Sequence, residues 1–544
     1  MTEPRHVATQ NQAGVFNYEI ISLSIFLCCS LISGCGSSGD SNRAPAGDGA
    51  SAAEGPSTGG TLHVGLHLPL TTLDWQSSVS HPLPHVMGHV YEGLFGLGSD
   101  FTAVPDLVDS YAVSEDGQVW TFDLREGVTF HSGEILDSDD VKASLERWRR
   151  IGPKGSGLAD LDAIETPDAN TVVLRFGNAM GQFLLLLLAS DENKAVIMPK
   201  EIAEASTTPG KVTEVVGTGP YRFVEYKEDQ YVRLEKHDGY VARTDEPNYQ
   251  AGRKDTYLDE VIFWVVPEAS TRVAGLESGE YHVITEVPDS EAERLRQVED
   301  VEPVKNGPGV LLYMMFNHKQ GLTSDLDIRR AIQAMVDPAE ITSMVVSDPT
   351  FSLSDESLFA PESAYNMKLE STPELTSEEY LQRAGYDGTP IFIQVISTDV
   401  VQQRVAVALV EQAKRVGLDL RIASYDLSTW VAKRTDPSAM NIYTSAGYWV
   451  DPSLWHPEFN GSFPSEAVGF SSSETDDIFS RLASATDFEQ RRALAGELQS
   501  TFYDQVAMVN LGYVYRLVAK STQVHDPQGN LAQGNLTLHG IWIE

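Results

Sequence analysis

The stretch from Ile391 to Ile422 constrains the fold most. Ile391–Ile396 is a short apolar run of the kind that forms a buried strand. Val405, Leu409, Ala413 and Val416 then recur at helical spacing within Val401–Val416, and Gly417 supplies a terminator. Leu418, Leu420 and Ile422 alternate again, as on a strand with one buried face. Two strands joined through a helix by short loops must run parallel, with the helix packed on the sheet. This part of the chain therefore reads as α/β.

The first half has a different rhythm. Leu62, Val64 and Leu66 share one face of an expected strand over Thr61–His67. Trp120, Phe122 and Leu124 alternate, Glu126-Gly127 suggests a turn, and Val128 and Phe130 alternate again, which predicts a hairpin. Ser138 is expected to cap a helix whose buried stripe is Val141, Leu145 and Trp148. Further strands are expected at Thr171–Phe176, Tyr221–Tyr226 and Tyr231–Lys236. Val261–Val266 is a continuous apolar run, as in a strand covered on both faces. A mixed, β-rich first part and an α/β second part make two unlike lobes, and two lobes frame a cleft.

Bulk properties exclude several functions. The 544-residue chain carries 78 acids against 39 bases, a formal net charge of −39. That argues against nucleic acid, which is bound by cationic side chains, and against adsorption of a basic face to anionic lipid. The three cysteines are Cys28, Cys29 and Cys35, so everything beyond residue 35 lacks thiols, disulfides and cysteine metal ligands.

The front end reads as an address. Ile20–Ile32 is a 13-residue apolar run, short for a membrane-spanning helix and suited to a secretory signal. Ile32-Ser33-Gly34-Cys35 follows and resembles the bacterial lipobox, which implies lipidation of Cys35 and a signal peptide over residues 1–35. Residues 36–60 are rich in Gly, Ser, Ala and Pro and are expected to form a flexible tether. Phe183–Leu188 is too short to span a bilayer and reads as core.

Six segments in order carry a family resemblance. They are GGTLHVGLHLPLTTLDW (Gly59–Trp75), HVYEGLFGL (His89–Leu97), the block from Val104 to Trp148, GTGPYRFVEY (Gly217–Tyr226), the block from Leu258 to Val283, and FNHKQGLTSDLDIRRAIQAMVD (Phe316–Asp337). Together they resemble the extracytoplasmic solute-binding proteins of ABC transporters for dipeptides, oligopeptides and nickel, solute-binding protein family 5. The resemblance implies an α/β, two-lobed periplasmic-binding-protein-like fold of class II, cluster C type, with a hinge between the lobes. It places lobe I at 61–305 plus 514–544, with an extra subdomain over 78–215, and lobe II at 306–513. Crossings between the lobes are expected near residues 305–313 and 508–516. The implied function is capture of short peptides in the interlobe cleft by hinge closure and delivery to the ABC permease transmembrane subunits. The implied protein is monomeric, anchored outside the cytoplasm by its lipid, with no cofactor and no catalysis. A nickel, metal-chelate or oligosaccharide receptor of the same family is the alternative. From another class, an extracellular hydrolase is the rival, although the sequence holds no GxSxG elbow, HExxH pair or phosphate-binding loop.

GYWVDPSLW, Gly447–Trp455, sets one carboxylate among rings. In the family's peptide binders an aspartate four residues after such a glycine pairs with the peptide α-amino group, which assigns that role to Asp451. A buried carboxylate needs a partner, and a ligand ammonium can be that partner. Tyr448, Trp449 and Trp455 would wall the pocket, and Tyr513 on the returning segment is a further candidate. An ordinary Asp-Pro turn amid core aromatics is the other reading. The segment lacks the second acid or Asp-Tyr that peptide binders carry here. His63, His67, His81, His85 and His89 also crowd together. His85 and His89 would share a helix face if the helix starts after Pro84, whereas the His63 and His67 side chains stand about 13 Å apart on a strand, too far for one ion. No metal site is assigned.

Overall fold

The computed structural model describes residues 55–544 apart from 192, 370–372, 435, 437, 453–469 and 471. The signal segment, Cys35 and Trp455 thus lie outside the described residues. Along the chain come β1 (Thr61–Leu66), α1 (Pro82–Met87), β2 (Val108–Val113), β3 (Val119–Leu124), α2 (Ser138–Ile151), β4 (Leu161–Asp168), β5 (Thr171–Phe176) and α3 (Phe183–Ala189). Next are β6 (Tyr221–Lys227), β7 (Tyr231–Lys236), β8 (Glu260–Val265), β9 (Val283–Ile284) and β10 (Val301–Phe316). The rest of the framework is β11 (Ile391–Ile396), α4 (Val400–Arg415), β12 (Leu420–Tyr425), β13 (Ile442–Gly447), α5 (Ser473–Ser484), α6 (Phe488–Asp504) and β14 (Met508–Ser521).

One mixed sheet joins the two lobes, in the order β12-β11-β13-β10-β14-β9-β1-β8-β7-β6. The long strands β10 and β14 pair antiparallel at its centre and include the two segments expected to cross between lobes. At 16 residues, β10 spans roughly 50 Å, enough to serve both lobes. Its pairing with β14 is interrupted between Asn306 and Val310, so Gly307, Pro308 and Gly309 bulge out of the ladder. Pro308 has no N–H to donate and is tolerated in such a bulge.

The strand–helix–strand unit forms as expected. Asp399 caps α4 by accepting from Gln402 N, Gly417 ends it at φ +77°, and β11 and β12 run parallel with Ile393 opposite Ile422. A separate four-stranded sheet, β2-β3-β5-β4, lies within residues 108–176. Here the structure departs from the hairpin expectation. β3 pairs with β2 and β5 on its two sides, and Val128–Phe130 turns back on residues 134–136. The alternating side chains are buried as predicted, but strands distant in sequence take the pairing. The cap of α2 is Asp137 in a capping box with Asp140, one residue before the expected Ser138. In β8, Val261 and Phe263 are fully buried while Ile262 and Trp264 are half-buried, so only one face is sealed. Leu184–Leu188 of α3 pack into the core around this smaller sheet. No described helix is long and apolar enough to cross a membrane.

Candidate ligand site between the lobes

The segment after β13 runs along the junction of the two lobes. Gly447 is the last residue paired with β10, opposite Leu311. Beyond it, Ala360 N donates to Trp449 O at 2.7 Å and the Ser363 hydroxyl donates to Val450 O at 2.7 Å. These bonds fix the turn that delivers Asp451.

Asp451 is 3% exposed and meets Arg491 of α6, whose Nη2 donates to its Oδ1 at 2.7 Å. Arg491 is fully buried; its Nε donates to the Tyr365 hydroxyl at 3.0 Å and its Nη1 to Leu482 O at 3.0 Å. Tyr365 also hydrogen-bonds the Asp451 carboxylate. Burial alone would lower the pKa of Arg491, but Asp451 outweighs it and holds the guanidinium above its ordinary value. Burial, reinforced by the Asp451 charge, pushes the Tyr365 hydroxyl up. Arg491 therefore stays charged and Tyr365 neutral across the physiological range. This corrects the premise that a ligand must complete Asp451: the protein supplies a cation of its own.

The pair borders a cavity of about 260 Å³. Asp100, Tyr111 and Gln182 line it from the first lobe, and Tyr365, Asp451 and Arg491 from the second. Direct bonds hold the lobes together beside it. Gly181 N donates to Ala483 O at 2.7 Å, Gln182 N to Ala485 O at 2.9 Å, and Ala364 N to Asp100 O at 3.0 Å. Gln182 Nε2 adds a bond to Thr486 O at 2.9 Å.

The other predicted residues divide. Tyr448 is half-buried and its ring lies under the Arg516 guanidinium at 5.2 Å. Trp449 is buried in the second lobe's core, edge-on to Tyr313 at 5.4 Å. Tyr513 is completely buried and donates to Ser357 O at 3.0 Å. Trp449 and Tyr513 therefore belong to the second lobe's core and do not line the cavity.

The histidines regroup as well. His81 precedes α1 and meets His67 at 5.6 Å and His85 at 5.2 Å between ring centres. His89 stacks on Phe263 in the core instead of joining His85. Trp264 Nε1 donates to His63 Nδ1 at 3.0 Å. Among the described residues no group of three His, Cys, Asp or Glu could hold a metal ion.

Arg491, Tyr365 and Arg516 are absent from the sequence reading. A signal for Arg491 existed. It falls in line with Leu494, Ala495, Leu498 and Phe502 on the buried face of α6, and a cation on an apolar stripe needs a buried anion. Arg516 likewise interrupts the apolar run of β14.

Residues 102–465 match the family described as "Bacterial extracellular solute-binding proteins, family 5 Middle". The chain belongs to this family. It is a solute-binding protein rather than an enzyme, and its place is outside the cytoplasm. The oligopeptide-binding protein AppA of Bacillus subtilis is 24% identical over 450 residues, covering 77% of each chain. The substrate-binding protein CtaP of Listeria monocytogenes superposes with a TM-score of 0.76 at 20% identity, over 90% of this chain and all of that one. DppA of Helicobacter pylori, solved in complex with the peptide STSA, gives 0.67 at 21% identity over 90% of this chain and 99% of that one. These structures share the two-lobed fold.

Proposed function

We propose that this family 5 protein is the lipid-anchored receptor of an ABC importer for short peptides. The cavity of about 260 Å³, walled from both lobes around the Asp451–Arg491 pair, carries this reading. Its position suits a ligand that enters an open cleft and is enclosed when the lobes close about β10 and β14. Asp451 and Tyr448 are the predicted residues that face the junction, with Trp449 and Tyr513 as the packed support. Lobe I comprises residues 61–305 and 514–544, its extra subdomain 78–215, and lobe II residues 306–513. Cys35 carries the lipid, residues 36–60 form the tether, and the protein acts as a monomer that hands its ligand to the permease transmembrane subunits. The peptide named in the Helicobacter complex and the name of the Bacillus relative support the ligand class.

The thermal midpoint of the purified protein, recorded with and without a mixed pool of di- to pentapeptides, tests this. Ligand at about 100 times its dissociation constant adds about 2.7 kcal/mol to the folded state, a readable rise. An unchanged midpoint would overturn the peptide assignment at these lengths.

A further inference from the structure

The polar groups that line the interlobe cavity differ in what they have already bonded. Tyr365, Asp451 and Arg491 close on one another and on Leu482 O. Asp100, from the first lobe, lines the same cavity and does not join them. Its Oδ1 accepts from Thr102 N at 3.1 Å and from the Thr102 hydroxyl at 2.7 Å. Its Oδ2 has no donor and its charge no cation among the described residues. The turn that carries it is fixed: Phe101 N donates to Gly98 O at 2.9 Å, and Gly98 N to Thr102 O at 2.9 Å. Ala364 N of the other lobe donates to Asp100 O at 3.0 Å, so the residue stands on the line of contact between the lobes. Gln182 shows the same imbalance. Its Nε2 donates to Thr486 O, and its Oε1 has no donor among the described residues.

The charges agree. Arg491 cancels Asp451, which leaves Asp100 as the net charge of the lining, inside a chain whose formal net charge is −39. Acceptors stand open and the arginine's donors are spent, so the group that completes this cavity must donate and be positive. The remaining wall suits the stem of such a group. Leu185 and Leu186 are buried, Phe488 is half-buried, and the Tyr111 ring is 41% exposed beside them. An alkyl chain can lie along these side chains with its charged head at the acid, and an exposed tyrosine ring adds attraction for a cation. At about 260 Å³ the cavity is smaller than the roughly 300–1,000 Å³ that whole small ligands occupy, so it takes one part of the solute.

We propose that Asp100 is a specificity-determining residue, and that it receives the ammonium or guanidinium of a lysine or arginine side chain of the captured peptide while the stem lies along Leu185, Leu186 and Phe488. This rests on capture between the lobes. It gives the cavity's two carboxylates different tasks. Asp451 is satisfied by Arg491 within the second lobe, whereas Asp100 reads a side chain of the ligand from the first. Because its main chain also bonds Ala364, the residue that meets the ligand is one that holds the lobes together.

Isothermal titration of the purified full chain tests it. The probes are three di- to pentapeptide pools whose variable side chain is lysine, norleucine or glutamate, the same three pools N-acetylated, and cadaverine as an amine without a peptide bond. The lysine pool is expected to bind about 10-fold tighter than the norleucine pool, the lower end for a hydrogen bond to a charged group because Asp100 is exposed. The glutamate pool should bind weakest, and N-acetylation should leave this order intact. Asp100→Asn removes the charge and keeps the Oδ1 that accepts from Thr102; its thermal midpoint without ligand reports that the turn is kept. This variant should erase the difference between the lysine and norleucine pools. Equal binding of those two pools to the unaltered protein would overturn this inference and leave the peptide reading standing. So would a lysine preference that survives Asp100→Asn, or one that N-acetylation abolishes. Binding of cadaverine alone, lost in Asp100→Asn, would uphold the cation site and overturn the peptide reading. Silence from every probe would overturn both.

Discussion

Two buried arginines at the lobe junction look alike in sequence and differ in structure. Arg491 spends its donors on Asp451, Tyr365 and Leu482. Arg516 meets Glu286 and His81 and keeps a buried Nη2 without a partner among the described residues. A charge set amid aromatic rings is thus no guide to a ligand contact. The count of donors against acceptors around it is what separates a finished pair from an unfinished one.

The sharpest way to break this comparison is at the finished pair. Arg491→Met leaves Asp451 buried without its cation and is expected to cost about 3–5 kcal/mol in denaturant unfolding. Adding Asp451→Leu should recover most of that loss, since an apolar pair of similar volume replaces both charges. If Arg491→Met were neutral while Arg516→Gln unfolded the protein, the two groups would have exchanged roles.

The next effect concerns pH. His85, driven to about 3 by burial, and His539, likewise about 3 from burial, stay neutral in the folded chain. The unfolded chain binds their protons below about pH 6.5, so it gains protons that the native state refuses. Stability from each group is fully present above pH 6.5 and falls as pH drops towards 3. Between pH 7 and 5 the loss is about 2 kcal/mol per histidine. Stability measured over that range should flatten by this amount in His85→Asn, whose amide oxygen can still accept from Leu536 N as the His85 Nδ1 does. An unchanged slope would contradict a neutral His85 in the folded chain.

The smallest effect is expected at the bond across the lobes. Gln182→Ala deletes the side-chain bond to Thr486 and should cost the closed form about 0.5–1.5 kcal/mol, read as faster ligand release. Equal release rates would detach that bond from closure.

Local signals carried much of the architecture. The β11-α4-β12 unit, the buried stripe of α2 and most strand positions follow from periodicity, because those patterns report which face is covered. The hairpin failed because alternation at Trp120, Phe122 and Leu124 says that one face is buried and not which strand lies alongside. β2 and β5 won the pairing through contacts remote in sequence. The site was less legible for the same reason. Asp451 was visible as a carboxylate needing a partner, but the partner lies 40 residues on, in α6. His67, His81 and His85 were visible as a crowd, yet their relation to Arg516, 435 residues beyond His81, arises only when β14 returns to the first lobe.

Capture between closing lobes is the central claim, and the chain is well suited to measuring it. All three cysteines lie before residue 36, so substituting them and placing labels at Glu115→Cys and Glu489→Cys, both exposed and on opposite lobes, gives one clean pair. Spin-label distances across the cleft, taken with and without the peptide pool, report closure directly. The account predicts a broad, longer distribution that shortens and narrows on adding the pool. A distribution unchanged by a pool that demonstrably binds would contradict it.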